Sequence, residues 1–404
     1  MKTLLTLALA ATALTSAAGA AELQSFRIEK GRYQAVLGDC MACHTKPGGA
    51  LFAGGEPLAT PFGTLVPPNI TPDSETGIGD WTKAEFRDAL KNGVGKDGKH
   101  LYPAMPYPAY HLMPDEDIDD LWTYLQTVPP VHDAVEANQL PFPFNQRFVM
   151  RGWNLVNFDP KPFEADPKQS AEWNRGAYLV QGPGHCGTCH TPKTMLGADE
   201  TDAALQGATL QGWFAPNITG EKAVGLGDWS KEDIVAYLKT GSNGHAIAAG
   251  PMVEAIQDST SLMKDEDLQA IATYLLSVKS DSRSNAPKPL AADDARMTGG
   301  DELYRVNCSA CHGLDGKGAE HLFPALAASA AVQQDDPSTL VNVVLAGAQG
   351  PHTKDRPTTP AMPSFAWRLN DDQIADVLTY VRNSWGNAAA PVSADAVSDQ
   401  RDGD

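Results

Sequence analysis

Three stretches of the chain carry one hydrophobic pattern, apolar residues at i, i+3, i+4 and i+7 with polar residues between them. They are Ile118, Leu121, Trp122, Leu125; Leu268, Ile271, Ala272, Leu275; and Ile374, Val377, Leu378, Val381. At 3.6 residues per turn each stripe falls on one face, so each predicts an amphipathic helix with one buried side. Acidic clusters stand directly ahead of the stripes: Asp115-Glu116-Asp117, Asp265-Glu266-Asp267 and Asp371-Asp372. Carboxylates there favour the positive end of the helix dipole. Asn370 and Gln373 have the spacing of a capping box.

Each stripe closes a unit that also opens on a short helical pattern. The openings are Gly31-Arg32-Tyr33, Gly176-Ala177-Tyr178 and the run from Gly300 to Tyr304. A small residue in the opening helix and an aromatic in the closing one imply two helices that cross closely. Between them, the first two units predict a further helix starting at Thr82 or Ser230, with Thr82 and Glu85 spaced as a capping box. The intervening Gly- and Pro-rich segments, such as Pro57 to Pro72, read as loops. Asn69-Ile70-Thr71 recurs as Asn217-Ile218-Thr219, and Gly79-Asp80-Trp81 as Gly227-Asp228-Trp229, at one common offset. The first two units are therefore repeats and the third is a more distant relative. Trp81 and Trp229 read as packing aromatics.

The N-terminus is a targeting segment. Lys2 is a basic start, Leu4 to Leu14 an apolar stretch, and Ala18-Gly19-Ala20 a small-residue cleavage site. Residues 1–20 are thus expected to be removed on export, which places the protein in the periplasm or on the periplasmic face of the cytoplasmic membrane. Beyond residue 21 no run approaches the ~18 apolar residues that a spanning helix needs. The formal net charge of −19 argues against nucleic acid and against direct binding to anionic lipid. Membrane association is expected through partners.

All six cysteines fall into three copies of Cys-x-x-Cys-His: Cys40, Cys43, His44; Cys186, Cys189, His190; Cys308, Cys311, His312. The spacing reads as a c-type haem attachment site. On a helical turn, i and i+3 share a face, so two thiols can bond the two vinyl groups of one haem edge. The following His can coordinate iron. Zinc sites or redox dithiols are the rival readings of a CxxC pair. With three copies and no spare cysteine, the expectation is three covalently bound haem c. The fold class that follows is mainly α, three tandem cytochrome c-type haem domains joined by long linkers. Residues 1–20 are the leader, and the domains are 21–132, 171–280 and 295–387. Residues 133–170 and 281–294 link them, and 388–404 form a disordered acidic tail.

Met/His ligation suits electron transfer, whereas an open iron suits oxygen or peroxide chemistry. Met105 and Met362 share the context Pro-Ala-Met-Pro, whose prolines hold an extended loop that can press a thioether on iron. Met252, in Gly250-Pro251-Met252, takes the role in the second unit by register. Met113 and Met263 read as residues stapling a helix entry, and Met41, Met150, Met195 and Met297 as packing or surface residues. His100, His245 and His352 are the rival ligands. No Ser-His-Asp order, phosphate loop or dinucleotide fingerprint is evident, and Gly313 to Gly318 read as turns. No catalytic residue is expected.

The chain resembles the tri-haem cytochrome c subunits of bacterial membrane-bound dehydrogenases, the partners of quinoprotein alcohol dehydrogenase and of flavin-dependent gluconate, sorbitol and fructose dehydrogenases. The resemblance covers nearly all of the mature chain. It is carried by Trp173 to Val180 with the following Gly-His-Cys-Gly-Thr-Cys-His, by Val381 to Asn387, and by Phe142 to Arg147 in the linker. It implies an electron-transfer subunit and no enzyme of its own. A flavin- or quinone-dependent dehydrogenase subunit would oxidise the substrate, and the haems would pass electrons to ubiquinone or another respiratory acceptor. Some members have an apolar or amphipathic C-terminal segment, from which the acidic tail here departs. Two further readings stand beside this one. The first is a free soluble periplasmic carrier feeding a terminal oxidase. The second is a peroxidase-like haem enzyme with one open iron.

Overall fold

The computed structural model describes residues 21–280 and 287–403. The expected leader at 1–20 and residues 281–286 of the expected second linker lie outside the described residues. The fold is mainly α, and among the described residues the strands form only two-stranded antiparallel ribbons.

Each unit is framed by the two helices that the sequence pattern predicts. Residues 21–37, Ala171–Gln181 and Ala295–Asn307 open the units. Asp115–Leu125, Asp265–Ser277 and Asp371–Arg382 close them. Where the helices cross, the opening partner carries a glycine. A Cβ on Gly31 would lie 1.9 Å from the carbonyl oxygen of Asp120, and one on Gly176 1.9 Å from that of Ala270. On Gly300 it would lie 2.4 Å from the carbonyl oxygen of Asp376. Tyr124, Tyr274 and Tyr380 bring their own Cβ atoms to the same three points. Only a residue without a side chain permits so close an approach. Arg27 with Asp120, and Arg175 with Asp267, tie the first two crossings with ion pairs to buried carboxylates.

The intermediate helices Lys83–Asn92 and Lys231–Thr240 start on capping boxes, Thr82 with Glu85 and Ser230 with Asp233. Both stop at left-handed glycines, Gly93 and Gly241. The third unit has such a helix as well, Ser338–Ala346. It is apolar nearly all round and so shows no stripe in the sequence.

The described residues form two compact units that divide between Phe163 and Glu164. In the first, most of the predicted linker is a strap on the first domain. Val66 N donates to Asn138 Oδ1 (2.9 Å), Tyr102 Oη to the Phe144 carbonyl (2.8 Å) and Tyr107 Oη to Asn154 Oδ1 (2.5 Å). Its residues Val149–Asn157 are helical. In the second unit, the second and third domains pack as one body. Thr339 Oγ1 bonds both N and O of Phe214 at 2.9 Å, Asn342 Nδ2 donates to the Gly212 carbonyl (2.8 Å) and Gln334 Nε2 to the Val224 carbonyl (2.6 Å).

The tail corrects the expectation of disorder. Ala394–Asp402 is a helix, and Val392 and Val397 are buried in the core that contains Leu345, Leu369 and Ile374. Arg401 bonds the Asp371 carboxylate (2.8 Å) and the Ala366 carbonyl (3.0 Å). Two well-placed valines and one arginine hold a segment whose average composition is that of a solvated tail.

Candidate haem-attachment sites

Each Cys-x-x-Cys-His is built on one short helical turn, Cys40–His44, Gly187–His190 and Ser309–His312, with Cys186 and Cys308 at the N-caps of the last two. The residue before the first cysteine is left-handed in two units, at Asp39 and His185. All six cysteines are free of disulfides. Burial pushes the Cys40 and Cys186 thiols up to about 12 and that of Cys308 up to about 11. A redox dithiol needs the opposite shift. Among the described residues no cluster of three or more His, Cys, Asp or Glu could hold a metal ion by itself.

The three motif histidines share one feature. Nδ1 of His44 lies 2.7 Å from the Pro68 carbonyl, that of His190 2.7 Å from Pro216, and that of His312 3.0 Å from Pro324. A carbonyl only accepts, so Nδ1 carries the proton and Nε2 keeps its lone pair. Burial lowers the pKa of all three rings, against the opposing pull of the prolyl carbonyls, and so favours neutral imidazole. A neutral ring with Nδ1 held and Nε2 open is what an axial ligand to haem iron requires. The residues present fit the group.

The loops that carry the prolyl carbonyls are braced by asparagines. Asn69 Oδ1 accepts from N and Oγ1 of Thr71 (2.9 and 2.7 Å), and Asn69 Nδ2 donates to the Val131 carbonyl (2.7 Å). Asn217 Oδ1 repeats the turn with Thr219 at 2.8 and 2.7 Å. The third unit lacks this turn, and Asn387 does similar work from the end of the closing helix. Its Nδ2 donates to the carbonyls of Leu326 (2.7 Å) and Val381 (2.8 Å), and its Oδ1 accepts from Ser329 N (3.1 Å). The sequence pattern marks Asn69-Ile70-Thr71 as a repeat and says nothing of this role. The signal was the proline just ahead of both asparagines.

The three methionines sit in different surroundings. Met105 lies in a tight turn, its N donating to the Tyr102 carbonyl (3.0 Å), and packs half-buried on the same core as Cys40. Met362 lies on a short strand paired with Ala348 and packs on the third core. Met252 instead lies in the first turn of the helix Pro251–Asp258, after left-handed Gly250. A Cβ on that glycine would strike the Trp213 ring at 2.6 Å. The rival histidines have other engagements. His100 Nε2 accepts from Arg151 Nε (2.9 Å), and His245 stacks on Trp229 with centroids 5.1 Å apart. The exposed His352 places Nδ1 3.0 Å from the Pro357 carbonyl. Met113 and Met263 are buried at the entries of the closing helices, Met150 and Met297 are buried too, and Met195 is exposed.

Paired crossing helices around a thiol–thiol–imidazole turn, present three times, define a multi-haem c-type protein. The Cytochrome c family model matches residues 28–129, 174–279 and 297–385, and the chain belongs to that family. It carries three haem c groups, one for each matched region. Over 394 residues it is 40% identical to the gluconate 2-dehydrogenase cytochrome c subunit of Pantoea cypripedii, covering 93% of this chain and 89% of that one. Over 402 residues it is 40% identical to the fructose dehydrogenase cytochrome subunit of Gluconobacter japonicus, covering 93% and 83%. Over 406 residues it is 38% identical to the cytochrome c subunit of the quinone alcohol dehydrogenase of Gluconacetobacter polyoxogenes, covering 96% and 87%.

Proposed function

We propose that this chain is the electron-transfer subunit of a dehydrogenase complex, taking electrons from a partner that oxidises an alcohol, sugar or sugar acid and passing them to ubiquinone. Substrate oxidation belongs to the separate subunit, a flavin- or quinone-dependent dehydrogenase. The place of action is the periplasmic face of the cytoplasmic membrane. The observation that carries the reading is the triple occurrence of a neutral imidazole whose Nδ1 is tied to a prolyl carbonyl.

When bound, haem c supplies one-electron carriage between ferrous and ferric iron. In this assignment Cys40 and Cys43, Cys186 and Cys189, and Cys308 and Cys311 would provide the thioether sulfurs. His44, His190 and His312 would hold the iron through Nε2, and Met105, Met252 and Met362 would offer it a thioether. The prolyl carbonyls fix the tautomer and orientation of each histidine before any partner arrives. The haem domains are assigned to 21–132, 171–280 and 295–387, with the tail packed on the third.

Purification of the native chain from solubilised membranes tests the function. A dehydrogenase that stays bound and reduces three haems per chain when given its substrate is the expected result. A monomer in the soluble fraction that no dehydrogenase accompanies would replace the reading with that of a free carrier.

A further inference from the structure

The helix Val149–Asn157 is apolar on both sides. Its inner side presents Met150 and Trp153, and Trp153 packs edge-on against Tyr107 of the first domain. Its outer side presents Phe148, Gly152, Leu155 and Val156, spaced i, i+4, i+7 and i+8 and so on one face. Phe148, Leu155 and Val156 are 69%, 88% and 74% exposed, and nearby in the chain Phe142 is 80% exposed. Single exposed apolar side chains are ordinary, but a face of them on one helix is not.

The charge around this face is the reverse of that of the chain. Residues 137–158 contain no Asp or Glu, in a protein that has 50 of them. Arg147 donates to the His100 carbonyl and Arg151 to His100 Nε2, which gathers both guanidinium groups at the residue that follows Lys99. Lys99 has its pKa lowered by burial and then by Arg147, as expected of adjacent like charges. Among the described residues none of the three has a carboxylate partner.

We propose that this face, Phe142, Phe148, Leu155 and Val156 rimmed by Lys99, Arg147 and Arg151, docks flat on an anionic phospholipid bilayer. An apolar helix face with cations at its edge is the composition of an interfacial helix. The face offers no side-chain hydrogen-bonding groups, and a few side chains cannot supply the roughly 800 Å² per partner of a stable protein interface. The net charge of −19 does not oppose contact at short range, because screening at physiological salt confines charge effects to about 8 Å. No described helix is long and apolar enough to cross a membrane, so surface docking is the mode this face allows. The proposal deepens the placement of the chain at the membrane face and does not depend on which dehydrogenase is the donor.

The test is flotation of the purified full-length haem-loaded chain with vesicles of phosphatidylcholine alone or mixed with phosphatidylglycerol. The wild type is expected to float with the mixed vesicles. Leu155→Glu should reduce that partition about tenfold or more, and Lys99→Gln should weaken binding to the mixed vesicles alone. Both positions are exposed, so unchanged haem spectra and melting temperature are the folding control. Absence of wild-type flotation, or flotation that Leu155→Glu leaves intact, overturns the proposal. If Leu155→Glu spares vesicle binding yet releases the dehydrogenase during purification, the face belongs to a protein partner and the lipid assignment falls. Co-purification is read separately, so the dehydrogenase assignment can fail while lipid docking survives.

Discussion

His44 Nδ1 and the Pro68 carbonyl oxygen lie 2.7 Å apart, and the residue after that proline, Asn69, is buried and bonded on both ends of its amide. The loop is therefore a fixed acceptor. A hydrogen bond to Nδ1–H makes Nε2 a stronger donor, which favours ferric iron. Asn69→Ala loosens the acceptor and removes the amide bonds to Thr71 N and Oγ1 and to the Val131 carbonyl. The expected result is an upward shift in the potential of one haem in three and a loss of about 1–3 kcal/mol of stability. Spectroelectrochemical titration reads the first and a urea melt the second. An unchanged potential in a destabilised variant would leave Asn69 as a loop brace with no influence on iron.

Met105→Ala and Met362→Ala should each convert one haem to a form that binds carbon monoxide. The potential of that haem should fall by a substantial part of the ~0.8 V range that axial ligands span. Met252→Ala is the more informative variant. Its backbone is helical where the Pro-Ala-Met-Pro segments are not, so this thioether reaches its position by another route. Full retention of the low-spin spectrum in Met252→Ala would move the ligand assignment to His245, which lies on the preceding loop and stacks on Trp229.

The crossing glycines set a third expectation. A methyl group on Gly31 or Gly176 would lie 1.9 Å from a carbonyl oxygen of the closing helix, and on Gly300 2.4 Å. Backbone cannot yield as a flexible side chain does, so the helices have to separate. Gly176→Ala should cost about 3 kcal/mol or more, at the upper end of overpacking effects. Gly300→Ala should cost less. Thermal melts and the yield of haem-loaded protein measure both, and a neutral Gly176→Ala would show that the crossing is looser than its geometry.

Much of this was legible in the sequence because it rests on local rules. Stripes at 3.6-residue spacing gave the closing helices, Thr82 with Glu85 and Asn370 with Gln373 gave caps, and the cysteine spacing gave the attachment turns. What escaped depends on neighbours distant in the chain. The helix Ser338–Ala346 is buried on nearly every side and so has no polar face to create a period. The helix Val149–Asn157 lies in a stretch that reads as a linker, and its docking onto Tyr107 is a tertiary fact. The asparagines were visible as repeats, but their bond to function runs through a proline carbonyl that has no side-chain signature.

The tail provides the sharpest case of composition outweighed by placement. Val397 is wholly buried, and its helix is pinned by Arg401 to Asp371 and to the carbonyls of Ala366 and Leu369. Arg382, also wholly buried, donates to the Ala390 carbonyl and to that of Val332, and so ties the start of the tail to the closing helix. Removing residues 391–404 would uncover the apolar side chains beneath Val392 and Val397. At about 1.5–3 kcal/mol for each buried valine, the truncation should cost the third domain about 3–6 kcal/mol. Arg401→Ala should cost about 1 kcal/mol, since its partners remain partly solvated. Urea melts of the haem-loaded chain, followed by visible absorbance, should then show an early transition of one haem in three. A truncated chain that melts like the full one would mean that the core closes without its last helix.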